Sequence, residues 1–490
     1  MYLIKKYVQI VILFCAVVST VSAQVSFSSM PKENQFFPRN TVTNQAVVTI
    51  SGTVNNADVN YTFIRVKAYR NGQLALSSQQ QLVYNNGKAT FNFSSFMKAE
   101  LATYKVEVYG VAGSLETLVS SASNLVAGDA YLIQGQSNAE ASMYNGNTVS
   151  LQSNFIRSYG TGNENGTTSE WYIASGDKDR KTGGHVGQWG LKMARLIVDT
   201  YKIPVCIING AHGGMAISFF LRNDSKPLMQ NTNYGRTLKR VREAGLTNYI
   251  RAAFWYQGET DVLFQTDTAS YKNDFRDLYH DWNEDMPGLQ TCYIFQIRKS
   301  CSNNNERSGK IMESQRELAL ELPNTYIMAS NGASHFVDGC HFPYTNGYEF
   351  HANNIFRLVQ RDMYQVSNAL NIEPPQIISA KIVGAQQIEL TLKNASDTYV
   401  WEAGSEKDFG INGANVSVVS GLISGNKVIL TLSGIATGAY SIDYFGHEGS
   451  RIPFVKNLNG IGMVSVWEFP LQTVTSKPTY LSHISVLAEQ

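Results

Sequence analysis

Apolar and polar positions along this chain change rhythm twice. From about residue 24 to 125 they fall in short alternating or β-branched runs, such as Ala46-Val47-Val48-Thr49-Ile50, Phe63-Ile64-Arg65-Val66-Lys67-Ala68-Tyr69 and Tyr104-Lys105-Val106-Glu107-Val108-Tyr109. Asn71-Gly72, Asn85-Asn86-Gly87 and Gly110 punctuate them. A period of two broken by such turns predicts antiparallel strands, and their spacing predicts a small β-sandwich. From about 126 to 368 the runs become solidly apolar: Tyr131-Leu132-Ile133, Val205-Cys206-Ile207-Ile208, Ala252-Ala253-Phe254-Trp255-Tyr256, Cys292-Tyr293-Ile294-Phe295 and Tyr326-Ile327-Met328. Such runs suit strands buried on both faces. Between them the period is helical. Tyr271, Phe275, Leu278 and Trp282 share one face, as do Ile311, Leu318 and Leu322, and Tyr348, Ile355 and Val359. Five strand–helix alternations predict an α/β domain, a parallel sheet with helices on both faces. Glu373-Pro374-Pro375 stops the last helix. Strand patterns then return, as in Ile388-Glu389-Leu390-Thr391-Leu392 and Val428-Ile429-Leu430-Thr431-Leu432.

The expected organisation is a segment 1–23, an immunoglobulin- or fibronectin-III-like sandwich over 24–125, the α/β domain over 126–368, a second β-sandwich over 376–473 and a tail over 474–490. The first segment sets the compartment. Lys5 and Lys6 precede an apolar run from Val8 to Val18, and Val21-Ser22-Ala23 is a small-x-small site. That is the pattern of a secretory signal peptide cleaved near Ala23, which predicts a secreted or periplasmic protein. The run is too short to span about 30 Å of hydrocarbon. Composition narrows the class further. Forty Lys+Arg against 39 Asp+Glu leave a formal charge of +1, which argues against nucleic acid or an anionic membrane as partner. Hydrophobic residues make up 43% of the chain, enough for real cores.

In an open parallel sheet, ligands gather at the carboxyl ends of the strands. After the first strand comes Gly135-Gln136-Ser137-Asn138, after the second Asn209-Gly210-Ala211-His212-Gly213-Gly214, and after the third Gln257-Gly258-Glu259-Thr260-Asp261; before the last helix stands Asp338-Gly339-Cys340-His341. Each piece has a bland reading: a serine as helix cap, a glycine pair as a turn, a glutamine as a buried polar group, D-x-x-H as a solvated loop. Together they supply an acyl-transfer machine. In such a machine a serine at this turn can serve as nucleophile, the histidine of D-x-x-H as its base and the aspartate as the carboxylate that orients the imidazole, with the glycine pair and the glutamine as candidate oxyanion donors.

These four blocks resemble the SGNH-hydrolase superfamily, in its carbohydrate-esterase branch of sialate O-acetylesterases and family 6 acetylxylan esterases. Gly128-Asp129-Ala130-Tyr131-Leu132-Ile133-Gln134-Gly135-Gln136-Ser137-Asn138 is similar to the branch's first block. Ala211-His212-Gly213-Gly214-Met215-Ala216-Ile217 and Trp255-Tyr256-Gln257-Gly258-Glu259-Thr260 are similar to the next two, and Asp338-Gly339-Cys340-His341 to the last. The resemblance covers about half the chain, 126–368, and implies a flavodoxin-like SGNH domain there; the two flanking sandwiches read from the strand patterns are not part of it. It implies a Ser137–His341–Asp338 triad, an oxyanion hole of the Ser137 amide, the Gly213 amide (or that of Gly214) and the Gln257 side chain, and no metal or cofactor. The implied substrate is an acetylated carbohydrate, with glycan contact by the flanking domains as a further role. Met215 and Thr260 depart from the branch's usual threonine and serine, and Phe219-Phe220 stands near the place of an indole that often lines the acyl pocket. Those departures bear on substrate.

Other readings stay open at this point. His335, Asp338 and His341 form H-x-x-D-x-x-H, a spacing that also suits a metal. A catalytically silent glycan-binding protein and an SGNH enzyme for longer acyl groups are the rival functions. Gln136, Asn138 and Glu259 are assigned to shaping the site, His212 to substrate contact or loop packing, and His351 to structure. Cys301 and Cys340 both fall at the carboxyl edge of the sheet and are expected to form a disulfide in a secreted chain, whereas Cys206 and Cys292 lie within apolar strands as buried thiols.

Overall fold

A computed structural model describes residues 25–55, 60–161, 168–177, 183–301, 304–446 and 454–472. The signal segment 1–23 and the tail 474–490 lie outside the described residues. The described residues fall into two compact units, one within 25–31, 48–95 and 105–122, the other within 32–47, 96–104 and 123–472.

The first unit is all β in its described part. Strand Phe63–Arg70 pairs antiparallel with Gln73–Gln81. The connecting Asn71 and Gly72 both take positive φ, 48° and 79°, the geometry of a tight two-residue hairpin turn that Asn-Gly reaches at least cost. Period-two burial follows the pattern of the sequence: Val48, Ile50 and Val54 on Gln45–Asn55 and Ile64 and Val66 on Phe63–Arg70 are buried, with exposed or half-buried neighbours.

In the second unit the central sheet runs in the order Ser169–Ile173, Ile156–Thr161, Val205–Asn209, Leu115–Gly135, Ile250–Tyr256, Thr291–Gln296, Thr325–Ala329. All neighbours are parallel except the first pair. The five strands read from the sequence therefore stand in the order 2-1-3-4-5, that of a flavodoxin-like sheet. Two further strands, Ser169–Ile173 at the edge and Ile156–Thr161 next to it, had no long apolar run to betray them. Ile156–Thr161 carries the fully buried Arg157, whose guanidinium donates to the Asn34 and Asn124 carbonyls at 3.0 Å each.

Alternate side chains of each central strand meet different helices, as a sheet covered on both faces requires. Phe254 packs on Trp189 from helix Gln188–Tyr201, while its neighbour Trp255 packs on Phe275 and Trp282 from helix Thr268–Asp285. The predicted stripe Tyr271, Phe275, Leu278 and Trp282 is at most 1% exposed.

The C-terminal part is a seven-stranded sheet from Ile377 to Gln472, antiparallel apart from one pair and built on its own core of Ile388, Leu390, Val428, Leu430 and Ile442. It is sutured to the α/β sheet by polar bonds. The Gln296 amide exchanges two hydrogen bonds with the backbone of Ser465 (2.9 and 2.8 Å), and Asn331 Nδ2 donates to the Met463 carbonyl at 2.7 Å.

Candidate active site

The first central strand ends where only glycine fits. Gly135 has φ +134°, and a Cβ there would lie 2.2 Å from the Tyr256 carbonyl oxygen. The chain turns at once into a short helix, Ser137–Glu140, that leaves Ser137 half-buried at the sheet's carboxyl edge. Its two neighbours hold the other segments to it. Gln136 Oε1 accepts from the amides of Gly258 and Thr260 at 3.2 and 3.1 Å. The buried Asn138 donates to Glu259 Oε1 (2.7 Å) and to the Cys340 carbonyl (3.2 Å), and accepts from the Tyr348 hydroxyl (3.0 Å). Gln136, Asn138 and Glu259 thus brace the first, third and fourth segments against one another. Burial pushes the Glu259 carboxyl up, against the pull of the Asn138 hydrogen bond.

The fourth segment delivers the imidazole. His341 Nδ1 and Asp338 Oδ2 are 2.5 Å apart, and His341 Nε2 is 2.9 Å from Ser137 Oγ. Asp338 Oδ1 accepts from the amides of Cys340 (2.9 Å) and His341 (3.0 Å). Burial raises the Asp338 carboxyl, but the hydrogen bonds from the His341 ring and these amides prevail and hold it below the usual carboxylate range. The carboxylate is therefore charged and faces Nδ1, the side from which it fixes the ring. Cys301 and Cys340 form the expected disulfide, with Cα atoms 4.4 Å apart, while Cys206 and Cys292 are buried thiols that burial keeps protonated.

The expected oxyanion donors lie elsewhere than a finished oxyanion hole requires. Gly213 abuts Ser137, for a Cβ built on it would be 3.5 Å from Ser137 Cβ. Its amide, however, donates to Glu140 Oε2 at 3.1 Å. The Gln257 amide, fully buried, donates to the Met215 carbonyl at 3.2 Å and to Asp261 Oδ2. The physical reason is general: a buried N–H without a partner costs about 1–3 kcal/mol, so donors without an oxyanion turn to the nearest protein oxygen. Asp261 also accepts from the Ile217 amide (3.0 Å) and the Thr266 hydroxyl (2.8 Å), so one carboxylate links the second and third segments. Gly214 takes φ +73° with open space around it.

One expectation changes. Phe220 is fully buried against Trp255 (ring centroids 5.4 Å) and belongs to the core, because its ring fills the layer between sheet and helix. Only Phe219, half-buried and 4.9 Å from the His212 ring, stays near the second segment. The spacing His335-x-x-Asp338-x-x-His341 does not form a ligand set. His335 packs on Phe342 (5.8 Å), Asp338 is bound to His341, and among the described residues no three His, Cys, Asp or Glu side chains group as metal ligands. His351 is fully buried in an aromatic cage, 4.6 Å from Phe342.

Glu140, Asp261 and Tyr144 went unread in the sequence. The i, i+4 spacing of Gln257 and Asp261 at the start of helix Glu259–Phe264 was the one available signal.

Residues 127–351 match a protein-family model described as carbohydrate esterase, sialic acid-specific acetylesterase. A protein of Arabidopsis thaliana named as a probable carbohydrate esterase is 30% identical over 149 residues, 29% of this chain and 51% of that one, so the match spans about half the length of this curated relative. A crystal structure described as a novel carbohydrate acetylesterase from Xanthomonas citri superposes with a TM-score of 0.59 over 90% of this chain and 98% of that chain, at 15% identity. At that identity the likeness is one of fold.

Proposed function

From the premise that residues 127–351 are a domain of the carbohydrate-esterase family, a family of carboxylic ester hydrolases, we propose that the chain is a secreted or periplasmic carbohydrate O-acetylesterase. The substrate class we favour is an acetylated sialic acid, with acetylated xylan as the alternative glycan. One observation carries the reading: Ser137 Oγ, the His341 ring and the Asp338 carboxylate form an unbroken hydrogen-bonded chain at 2.9 and 2.5 Å.

The reaction is a two-step acyl transfer. His341 Nε2 takes the Ser137 proton as Oγ attacks the ester carbonyl, and the charge on the imidazolium is balanced by Asp338. The sugar hydroxyl leaves with that proton. His341 then deprotonates water, which attacks the acetyl-serine; acetate departs and Ser137 recovers its proton. The developing oxyanion is held by the amides of Ser137 and Gly213 and by Gln257. For the last two this is an exchange of acceptors: Gly213 N–H leaves Glu140 and Gln257 gives up its longer bond, that to Met215, while Asp261 retains the other hydrogen.

Hydrolysis of p-nitrophenyl acetate by the wild type, and its loss in Ser137→Ala shown folded by circular dichroism, tests the mechanism. Acetate release across a panel of acetylated glycans then identifies the sugar. A folded wild type that leaves p-nitrophenyl acetate intact would favour a glycan-binding role instead. N-terminal sequencing of the exported protein checks the compartment, with Gln24 expected as the first residue.

A further inference from the structure

The fold places an aromatic ring flat against the base of the triad. Tyr144 overlies the imidazole of His341 with ring centroids 4.1 Å apart and planes 12° from parallel. Its segment is held from several sides. Tyr344 N donates to the Asn145 carbonyl (2.7 Å) and Gln188 Nε2 to that of Gly146 (2.9 Å). The Thr148 amide and hydroxyl both donate to Asp177, at 2.8 Å at closest. Phe336, whose amide donates to the His341 carbonyl at 2.8 Å, packs on the Tyr144 ring at 5.7 Å. The platform thus comes from the stretch just after the nucleophile's own helix. It covers the ring that must become a cation in each half of the reaction.

We infer that Tyr144 is a positioning residue for the acyl-transfer reaction: its ring fixes the plane of His341 and its π face favours the imidazolium. The inference rests on the esterase reading above. Three observations support it. A parallel stack at this distance removes the ring's rotation about the axis that would swing Nε2 away from Ser137. The aromatic face carries negative quadrupole density, which attracts a cation placed over it. The side chain of His341 is only 20% exposed, so that attraction is weakly screened.

The test compares Tyr144→Leu, which keeps apolar cover but has no π face, with Tyr144→Phe, which restores the face without the hydroxyl. In Tyr144→Leu, kcat/KM for p-nitrophenyl acetate is expected to fall roughly five- to thirtyfold. The acid limb of its pH profile should move about half a pH unit lower, because the cationic ring has lost a stabilising partner. Tyr144→Phe should recover most of both changes. A limb that stays in place in Tyr144→Leu, or a Tyr144→Phe protein as impaired as Tyr144→Leu, would reduce the tyrosine to packing and overturn the inference. The same pair of substitutions in the Ser137→Ala background, followed by NMR of the His341 ring against pH, gives a readout that needs no turnover. If the wild type proves inactive, the esterase reading fails on its own, and the NMR titration still decides whether the stack favours the charged ring.

Discussion

Asp261 shows how much one buried side chain can decide about chemistry two contacts away. Its carboxylate takes one hydrogen of the Gln257 amide and the amide of Ile217, so the proposed third oxyanion donor is aimed by a neighbouring acid. Burial pushes the Asp261 carboxyl up, while these hydrogen bonds favour its charged form. Two substitutions separate the donor from its holder. Gln257→Ala should cost on the order of 10²–10³ in kcat if its amide is one of three oxyanion donors. Asp261→Asn should cost less, and chiefly in kcat, since the donor survives with a poorer aim. Steady-state kinetics on a short acetyl ester would read both; an Asp261→Asn enzyme slower than Gln257→Ala would mean that the acid acts on the reaction by another route.

At the level of elements, the active site is four loop segments held against one sheet edge, and the fourth is the least supported by regular structure. The segment from Phe336 to Phe342 lies outside helices and strands, and what anchors it is local: Asp338 turning back on the amides of Cys340 and His341, Asn138 reaching the Cys340 carbonyl, and the Cys301–Cys340 bridge. The cysteines lie 39 residues apart, and closing a loop of that size removes about 4 kcal/mol of unfolded-chain entropy in the chain-entropy account. A Cys301→Ser/Cys340→Ser protein should therefore melt several degrees lower. It should also turn over more slowly at temperatures where circular dichroism finds it folded, because the residue next to the bridge is the proposed base. An unchanged kcat in the folded variant would show that Asp338 and Asn138 hold the loop unaided.

Over the larger unit as a whole, acid is expected to weaken the fold through its buried histidines. His351 is buried among Tyr256, Phe295 and Phe342, and among the described residues neither ring nitrogen has a hydrogen-bond partner. Burial and then the charge of Arg298 push it down to about 3 from an ordinary 6.5. His335 is pushed down to about 3 for the same two reasons in the same order. The unfolded chain binds protons here between pH 6.5 and 3 that the folded protein refuses, so stability is complete above that window and falls as pH drops through it. Glu259 and Asp261, raised by burial, work in the opposite sense: above their ordinary range they cost stability as pH rises. Between pH 7 and pH 5, His351 alone corresponds to about 2 kcal/mol. Urea unfolding at the two pH values should show that His351→Phe, which suits the aromatic cage, narrows the difference by about that amount. An unaltered pH dependence would assign acid sensitivity to other groups.

What the sequence determined by itself are the features with local causes. Continuous apolar runs marked five parallel strands because both faces of those strands are covered, and a 3.6-residue stripe marked helix Thr268–Asp285 because one face meets the sheet. The proposed triad was legible for a related reason: Asp338 and His341 pair across three residues, and Ser137 follows a strand into a turn that only Gly135 permits. Strands Ile156–Thr161 and Ser169–Ile173 were not, since the second is an edge strand with polar residues and the first carries Arg157, buried by contacts far along the chain. Tertiary structure alone decided which acceptors Gly213 and Gln257 face, that Phe220 is core, and that Tyr144 lies on His341. Those outcomes depend on where separate segments meet in space, and the free energy that selects them arises only when the segments are packed together.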